Sequence, residues 1–268
     1  MRQPRTYRKE SAADPAALRV EAAGLRWLAE AASHGGARVV GVVAEGAGWL
    51  ETERMPTTRP APRTAAAFGR ALARTHAAGA HSFGASPPAW SGPGRIGRAP
   101  LPLEEPAVVG ARTWGAFYAA DRVLPFLRSA VDSGTIDATG ARVVEKLASR
   151  LANGAFDVPQ PGLVSSAAAR IHGDLWSGNV LWDAGAGGEA VLIDPAAHGG
   201  HAETDLAMLA LFGQEHHVEI VAGYEEVSPL AAGWRERVAL HQVHPLLVHA
   251  VLFGGGYGAA AVRAADAY

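Results

Sequence analysis

The chain has 268 residues, 49% hydrophobic and 19% charged, with a formal net charge of −2 and no cysteine. Such a composition belongs to a folded globular protein with enough chain for one large or two small domains. It excludes disulfides and thiolate metal sites, and it offers neither a basic field for nucleic acid nor a polybasic membrane patch.

In chain order, RTYRKES (5–11) reads as a strand. The basic opening MRQPRTYRKE is not followed by an apolar signal region, so no secretory signal is expected and the cytoplasm is the expected location. Asp14-Pro15 marks a helix start, a capping carboxylate before a proline at the first helical position. Leu18, Ala22, Leu25 and Ala29 then recur on one face until Gly35-Gly36 stops the helix. ARVVGVVAE (37–45) and WLETERM (49–55) read as two strands of a hairpin. Residues 1–58 thus read as a small α+β lobe.

After the Pro/Thr-rich connection MPTTRPAP, residues 63–79 are helical in pattern and a Pro/Gly-rich loop fills 84–106. Helices are expected at about 110–131, kinked or broken at Pro125, and at 137–152, with Val143, Val144, Leu147 and Leu151 inward. A second hairpin follows, then helices near 203–212, 215–224 and 233–253, the last kinked or divided by Pro245. Residues 59–268 read as a larger, mostly helical lobe. Its most apolar window, 244–262, is interrupted by histidines and glycines and is a poor membrane span.

NVLW (179–182) and AVLID (190–194) are the two strands of that second hairpin. Antiparallel pairing sets Asn179 beside Asp194 at its open end, with Asp174 on the loop entering the first strand. Two carboxylates and an amide oxygen on one edge suit Mg²⁺, a hard ion usually shared with substrate phosphates. Asp-x4-Asn followed by a strand-terminal Asp is the spacing of kinase-type sites. There one aspartate receives the acceptor proton, while the asparagine and the second aspartate hold metal.

HGDLWSGN (172–179) followed by LIDPA (192–196) resembles the fructosamine/ketosamine kinases, within the aminoglycoside-phosphotransferase-like group of small-molecule kinases. The resemblance extends to IDPAAHGGHAETDLAMLALFG, EAAGLRWL, WGAFYAADRVLP, AGYEEVSPL and HPLLVHAVLFGGGYG, in order along nearly the whole chain. It implies a bilobal protein-kinase-like α+β fold with an N-terminal nucleotide lobe (1–58) and a C-terminal catalytic and acceptor lobe (59–268). It also implies an ATP- and Mg²⁺-dependent kinase acting on a sugar hydroxyl of a small-molecule ketoamine or glycated protein, in deglycation repair.

By that resemblance Asp174 is the base, and Asn179 and Asp194 hold the metal. Lys9, supported by Glu21, contacts the nucleotide phosphates, and Glu51, Thr52 and Glu53 lie in the hinge that meets adenine. Trp176, His198, His201 and Glu203 fall on the acceptor side. His172 and Asp205 read instead as supports of the catalytic loop. His241, His244 and His249 are loosely on one side of a helix, but Pro245 between them argues against a metal site.

One departure is visible. Family members carry two strands joined by a phosphate-covering loop before this lysine, whereas eight residues precede Lys9 here, enough for a single strand. Two alternatives stay open: an aminoglycoside- or choline-type phosphotransferase, and a non-catalytic nucleotide binder. Protein-kinase activity is not expected, because no Ala-Pro-Glu segment follows Asp194.

Overall fold

In the computed structural model, residues 6–104 and 112–268 are described. Strand β1 (Thr6–Glu10) is followed by helix α1 (Pro15–Ala29), then β2 (Arg38–Val39), β3 (Val42–Gly46) and β4 (Trp49–Glu53). β1, β4 and β3 form an antiparallel sheet in that order. α1 buries Leu18, Ala22 and Leu25 as the spacing forecasts, but at its last turn Leu28 is buried and Ala29 is exposed. Asp14 makes no capping side-chain bond; its carboxylate accepts from Arg95 Nε at 2.6 Å instead. A charge-assisted pair with a guanidinium is roughly twice as strong as a neutral hydrogen bond, which favours this arrangement.

The strand expected over 37–45 is divided. β2 leaves the small sheet and pairs parallel with β9 (Glu189–Leu192), extended by Val40 N donating to Leu192 O at 3.0 Å. The break falls at Gly41, where a Cβ would stand 2.8 Å from the Glu53 side chain. Val39 and Val40 are thereby buried against the second hairpin, tying the small lobe to the large one.

The large lobe begins with α2 (Pro62–Ala77). The expected loop at 84–106 contains a small hairpin, β5 (Gly94–Ile96) and β6 (Ala99–Leu101), and residues 105 and 106 lie outside the described residues. The helix expected at 110–131 begins, as described, with α3 (Trp114–Phe117), its residues 110 and 111 also lying outside. A π-helical segment, Tyr118–Val123, then leads into α4 (Leu124–Asp132). Pro125 explains the widening, since it has no N–H to give the Asp121 carbonyl. Arg122 Nη1 donates to that carbonyl at 3.2 Å. α5 (Ala138–Ala152) is capped by Asp137, whose carboxylate accepts from Gly140 N at 2.7 Å.

β7 (Ala169–Ile171) pairs with β10 (His198–Gly200), and β8 (Val180–Asp183) forms the second hairpin with β9. α6 (Glu203–Leu211), α7 (His217–Val227), α8 (Trp234–Phe253) and α9 (Tyr257–Asp266) complete the chain. α9 was not expected: GGGYG reads as a stop, and the buried face of α9 offers only small residues, Gly258, Ala261 and Ala265, as a signal.

Two buried clusters hold these elements. One joins α1, β4, α2, β7–β9, α6 and α7, through residues such as Leu28, Leu50, Phe68, Leu192 and Tyr224. The other joins α3 to α5 with α8 and α9, around Trp114, Phe117, Leu147 and Leu247. Residue 58 marks a change from sheet to helix, but the first cluster runs across it.

Pro245 neither breaks nor divides α8. The His241 carbonyl, four residues before it, receives the Tyr118 hydroxyl at 3.0 Å, shared with Leu240 O at 3.1 Å, while that hydroxyl accepts from His244 N at 3.1 Å. A fully buried phenol thus supplies what the proline withholds. α6 and α8 are further joined by Arg237, whose Nε and Nη2 donate to the two Glu203 oxygens at 2.9 and 2.6 Å.

Tyr118→Phe should therefore destabilise the protein by about 1–3 kcal/mol, because it leaves buried backbone groups unpaired. Urea denaturation with an unchanged m-value checks it. Burial alone would push the Glu203 carboxyl up, but His241 and Arg237 hold it down at about 2, against 4.5 unperturbed. A depressed carboxyl contributes stability that is complete above its unfolded value and disappears as pH falls through its folded one. Roughly 3 kcal/mol should therefore be lost between about pH 5 and 2, and Glu203→Gln should flatten that part of the stability–pH curve.

Candidate active site

The loop that carries Asp174 is held from below by one carboxylate. Asp205, at the start of α6 and fully buried, accepts from His172 N at 2.7 Å and Gly173 N at 2.9 Å. His76 Nε2 approaches it at 3.1 Å, and these partners outweigh burial to keep its carboxyl below the usual range. His172 Nδ1 accepts from Asp174 N at 3.3 Å, so its Nε2 donates to the Ile193 carbonyl at 2.8 Å. Gly173 has φ +81°, and a Cβ there would lie 2.3 Å from the Ala196 carbonyl, so this turn accepts only glycine.

The hairpin register does the rest. Val180 faces Leu192, and Ile193 N donates to Asn179 O at 3.1 Å, setting Asn179 beside Asp194 at the open end. Asn179 Nδ2 donates to the Asp174 carbonyl at 2.8 Å and to its carboxylate at 3.2 Å. Its side-chain oxygen has no hydrogen bond among the described residues. Asp194 has φ +54°, a strained left-handed conformation for a non-glycine residue of the kind that clusters at functional sites.

Lys9, on β1, reaches across to this edge. Its Nζ is 2.8 Å from Glu21 and 2.5 Å from Asp194. Burial would lower the Lys9 pKa, but the carboxylates of Glu21 and Asp194 together raise it, so the ammonium is secure. Burial pushes the Asp174 carboxyl up to about 6, with Asn179 opposing and the negative charge of Asp194 adding. A carboxylate tuned toward neutrality is suited to accept a proton at physiological pH.

Two cavities meet at Asp194. One, of about 310 Å³, lies under the small sheet and is lined by Tyr7, Lys9, Thr52, Glu53, Leu181 and Ile193, among others. The second, of about 350 Å³, contains Asp174 and Asn179 and is walled by Glu21, Trp176, His249 and Phe253. Asp194 lines both. Oxygen donors at Asn179 and Asp194, one of them without a hydrogen bond, fit a hard divalent ion such as Mg²⁺.

Of the expected residues, Lys9, Glu21, Asp174, Asn179 and Asp194 are thus together, Thr52 and Glu53 line the first cavity, and the indole of Trp176, 39% exposed, lines the second. Glu51 needs correcting. Glu51 does not line the cavity; it is paired across the sheet with Arg8, whose guanidinium lies 3.7 Å from its carboxylate.

His198, His201 and Glu203 also need correcting, since all are buried and none lines either cavity. His198 Nδ1 donates to the Ala196 carbonyl at 2.8 Å, and burial holds His198 and His201 down at about 3, so both are neutral. His201, Glu203 and His241 bring ligand atoms within 4.8 Å of one another, but Arg237 already holds both Glu203 oxygens. Sequence reading missed Tyr7, Leu181 and Ile193 in the first cavity, and His249 and Phe253 in the second. Strand alternation from Lys9 would have found Tyr7; the others depend on how distant elements pack.

The fructosamine kinase family profile matches residues 7–268. A probable ketoamine kinase of Klebsiella aerogenes is 39% identical over 155 residues, which are 58% of this chain and 49% of that protein. The chain spans about half the length of the curated relatives it matches first. A crystal structure named for a fructosamine-3-kinase of Thermobifida fusca superposes with a TM-score of 0.82 at 44% identity, covering 98% of this chain and 84% of that one. A choline kinase of Streptococcus pneumoniae shares the fold alone, with a TM-score of 0.57 at 14% identity over 98% of this chain and 86% of the other. With a protein-kinase-like bilobal α+β fold and a family match running from β1 to the last residue, the chain belongs to the fructosamine kinase family.

Proposed function

We propose that this protein transfers the γ-phosphoryl group of ATP to a sugar hydroxyl of a small-molecule ketoamine, the 3-hydroxyl by family likeness, as a step in deglycation. The observation that carries the reading is the pair of cavities sharing Asp194, with Lys9 facing one and Asp174 the other. A nucleotide in the first cavity and an acceptor in the second would meet where the charged side chains converge. Family membership and the relatives' names support the same reaction class.

In this reading the acceptor oxygen forms the new P–O bond and its proton passes to Asp174. The bond from the γ-phosphorus to the bridging oxygen breaks, and ADP leaves. Lys9, kept charged and held by Glu21, steadies the nucleotide phosphates, and Thr52 and Glu53 flank the base. Asn179 and Asp194 would hold Mg²⁺, which supplies neutralisation of the phosphate charge. Asn179 also orients Asp174 through its amide hydrogens. Positioning and preorganised charge then carry most of the rate.

Asp174→Asn should lower kcat by about 10²–10⁴-fold, read as ADP release with fructosyl-amine acceptors, while melting temperature and nucleotide binding persist. Full residual turnover would refute the assignment. Chelation of divalent ions should abolish turnover of the native enzyme and added Mg²⁺ should restore it; activity undiminished in excess EDTA would exclude the metal role given to Asn179 and Asp194.

A further inference from the structure

The acceptor cavity carries a cation that the reaction above does not use. Among the described residues its charged lining consists of the carboxylates Glu21, Asp174 and Asp194 and one guanidinium, Arg95; Lys9 lines the other cavity. Arg95 sits on β5, and two of its nitrogens are committed. Nε donates to Asp14 at 2.6 Å and Nη1 to the Gly94 carbonyl at 3.0 Å, while Nη2 has no hydrogen-bond partner among the described residues. A guanidinium has five N–H donors in a rigid fork, so one edge can be fixed by Asp14 while another remains for an anionic oxygen. The group is therefore preorganised at low entropic cost.

Its location selects the kind of anion. Asp14 and Glu21 are seven residues apart at the start of and along α1, about 10 Å of helical rise. Arg95 is tied to the first and Lys9 to the second. The guanidinium therefore stands away from the phosphoryl-transfer point, and it does not line the nucleotide cavity. The β5–β6 hairpin docks on α8, where a Cβ on Gly97 would lie 3.0 Å from Leu252. α8 also carries His249 and Phe253, beside Trp176 in the same wall. Arg95 and this aromatic wall line one chamber.

We propose that Arg95 receives a carboxylate on the acceptor, so that the preferred substrates are ketoamines formed on amino acids rather than on simple amines. The sugar hydroxyl faces Asp174, the secondary ammonium lies by the Trp176 face, and the carboxylate closes on Nη2 of Arg95. This rests on the ketoamine kinase reading above.

The test compares two probes differing only in this charge, N-fructosyl-glycine and N-fructosyl-glycinamide, by calorimetric binding and by turnover. The native enzyme should favour the carboxylate about ten-fold or more in both Kd and kcat/KM. Arg95→Met should bring that ratio close to one, and Arg95→Lys, which keeps the charge beside Asp14 but loses the fork, should retain part of it. Melting temperature verifies that each variant is folded. Equal treatment of the two probes by the native enzyme overturns the proposal while leaving the kinase reading intact. A rise in the KM for ATP in Arg95→Met with an unchanged probe ratio overturns it in favour of a phosphate contact. Failure of the native enzyme to bind or phosphorylate either probe overturns both.

Discussion

The buried carboxylate of Asp205 is the constraint on which the rest of the site depends. A charge taken out of water is costly unless it is fully hydrogen-bonded, and this one is satisfied by two backbone N–H groups of the loop that carries Asp174 and by His76. Because those N–H groups belong to His172 and Gly173, satisfying the charge also fixes where Asp174 emerges. His172 then passes the constraint to the end of β9 through the Ile193 carbonyl, immediately before Asp194. One buried group therefore sets the relative position of two carboxylates twenty residues apart in sequence.

The same logic recurs where prolines interrupt helices. Each removes a donor that the preceding turn needs, and each time a buried side chain supplies it: Arg122 at the Asp121 carbonyl and Tyr118 at the His241 carbonyl. Both residues come from the π-helical segment, so one irregular turn repairs its own helix and a neighbouring one. The second cavity is built on this repaired α8, whose continuity past Pro245 carries His249 and Phe253 to it.

Electrostatically the site is a cluster of carboxylates balanced by few cations. Lys9 is committed to Glu21 and Asp194, and Arg95 to Asp14. In the proposed reaction a polyanionic nucleotide would need added positive charge here, which a divalent ion on Asn179 and Asp194 would supply. The raised Asp174 carboxyl follows from the same crowding, since burial and the adjacent Asp194 both disfavour a second negative charge.

Much of this was legible in the sequence. The spacing of Asp174, Asn179 and Asp194 determined a convergent edge, because hairpin pairing brings strand ends together whatever surrounds them. The pairing of Lys9 with Glu21 was legible only through family likeness, since nothing local says that a lysine at the end of a strand faces a particular helix. What the tertiary structure alone decided was direction and depth. Glu51 lies in the right strand, but register sets it opposite Arg8 and outside the cavity lining. His198, His201 and Glu203 follow Asp194 closely, yet the chain turns inward there, pairs β10 with β7 and buries them against α8. Sequence spacing carried the order of the chemical groups; only the packing of distant elements determined which of them meet solvent in the cleft.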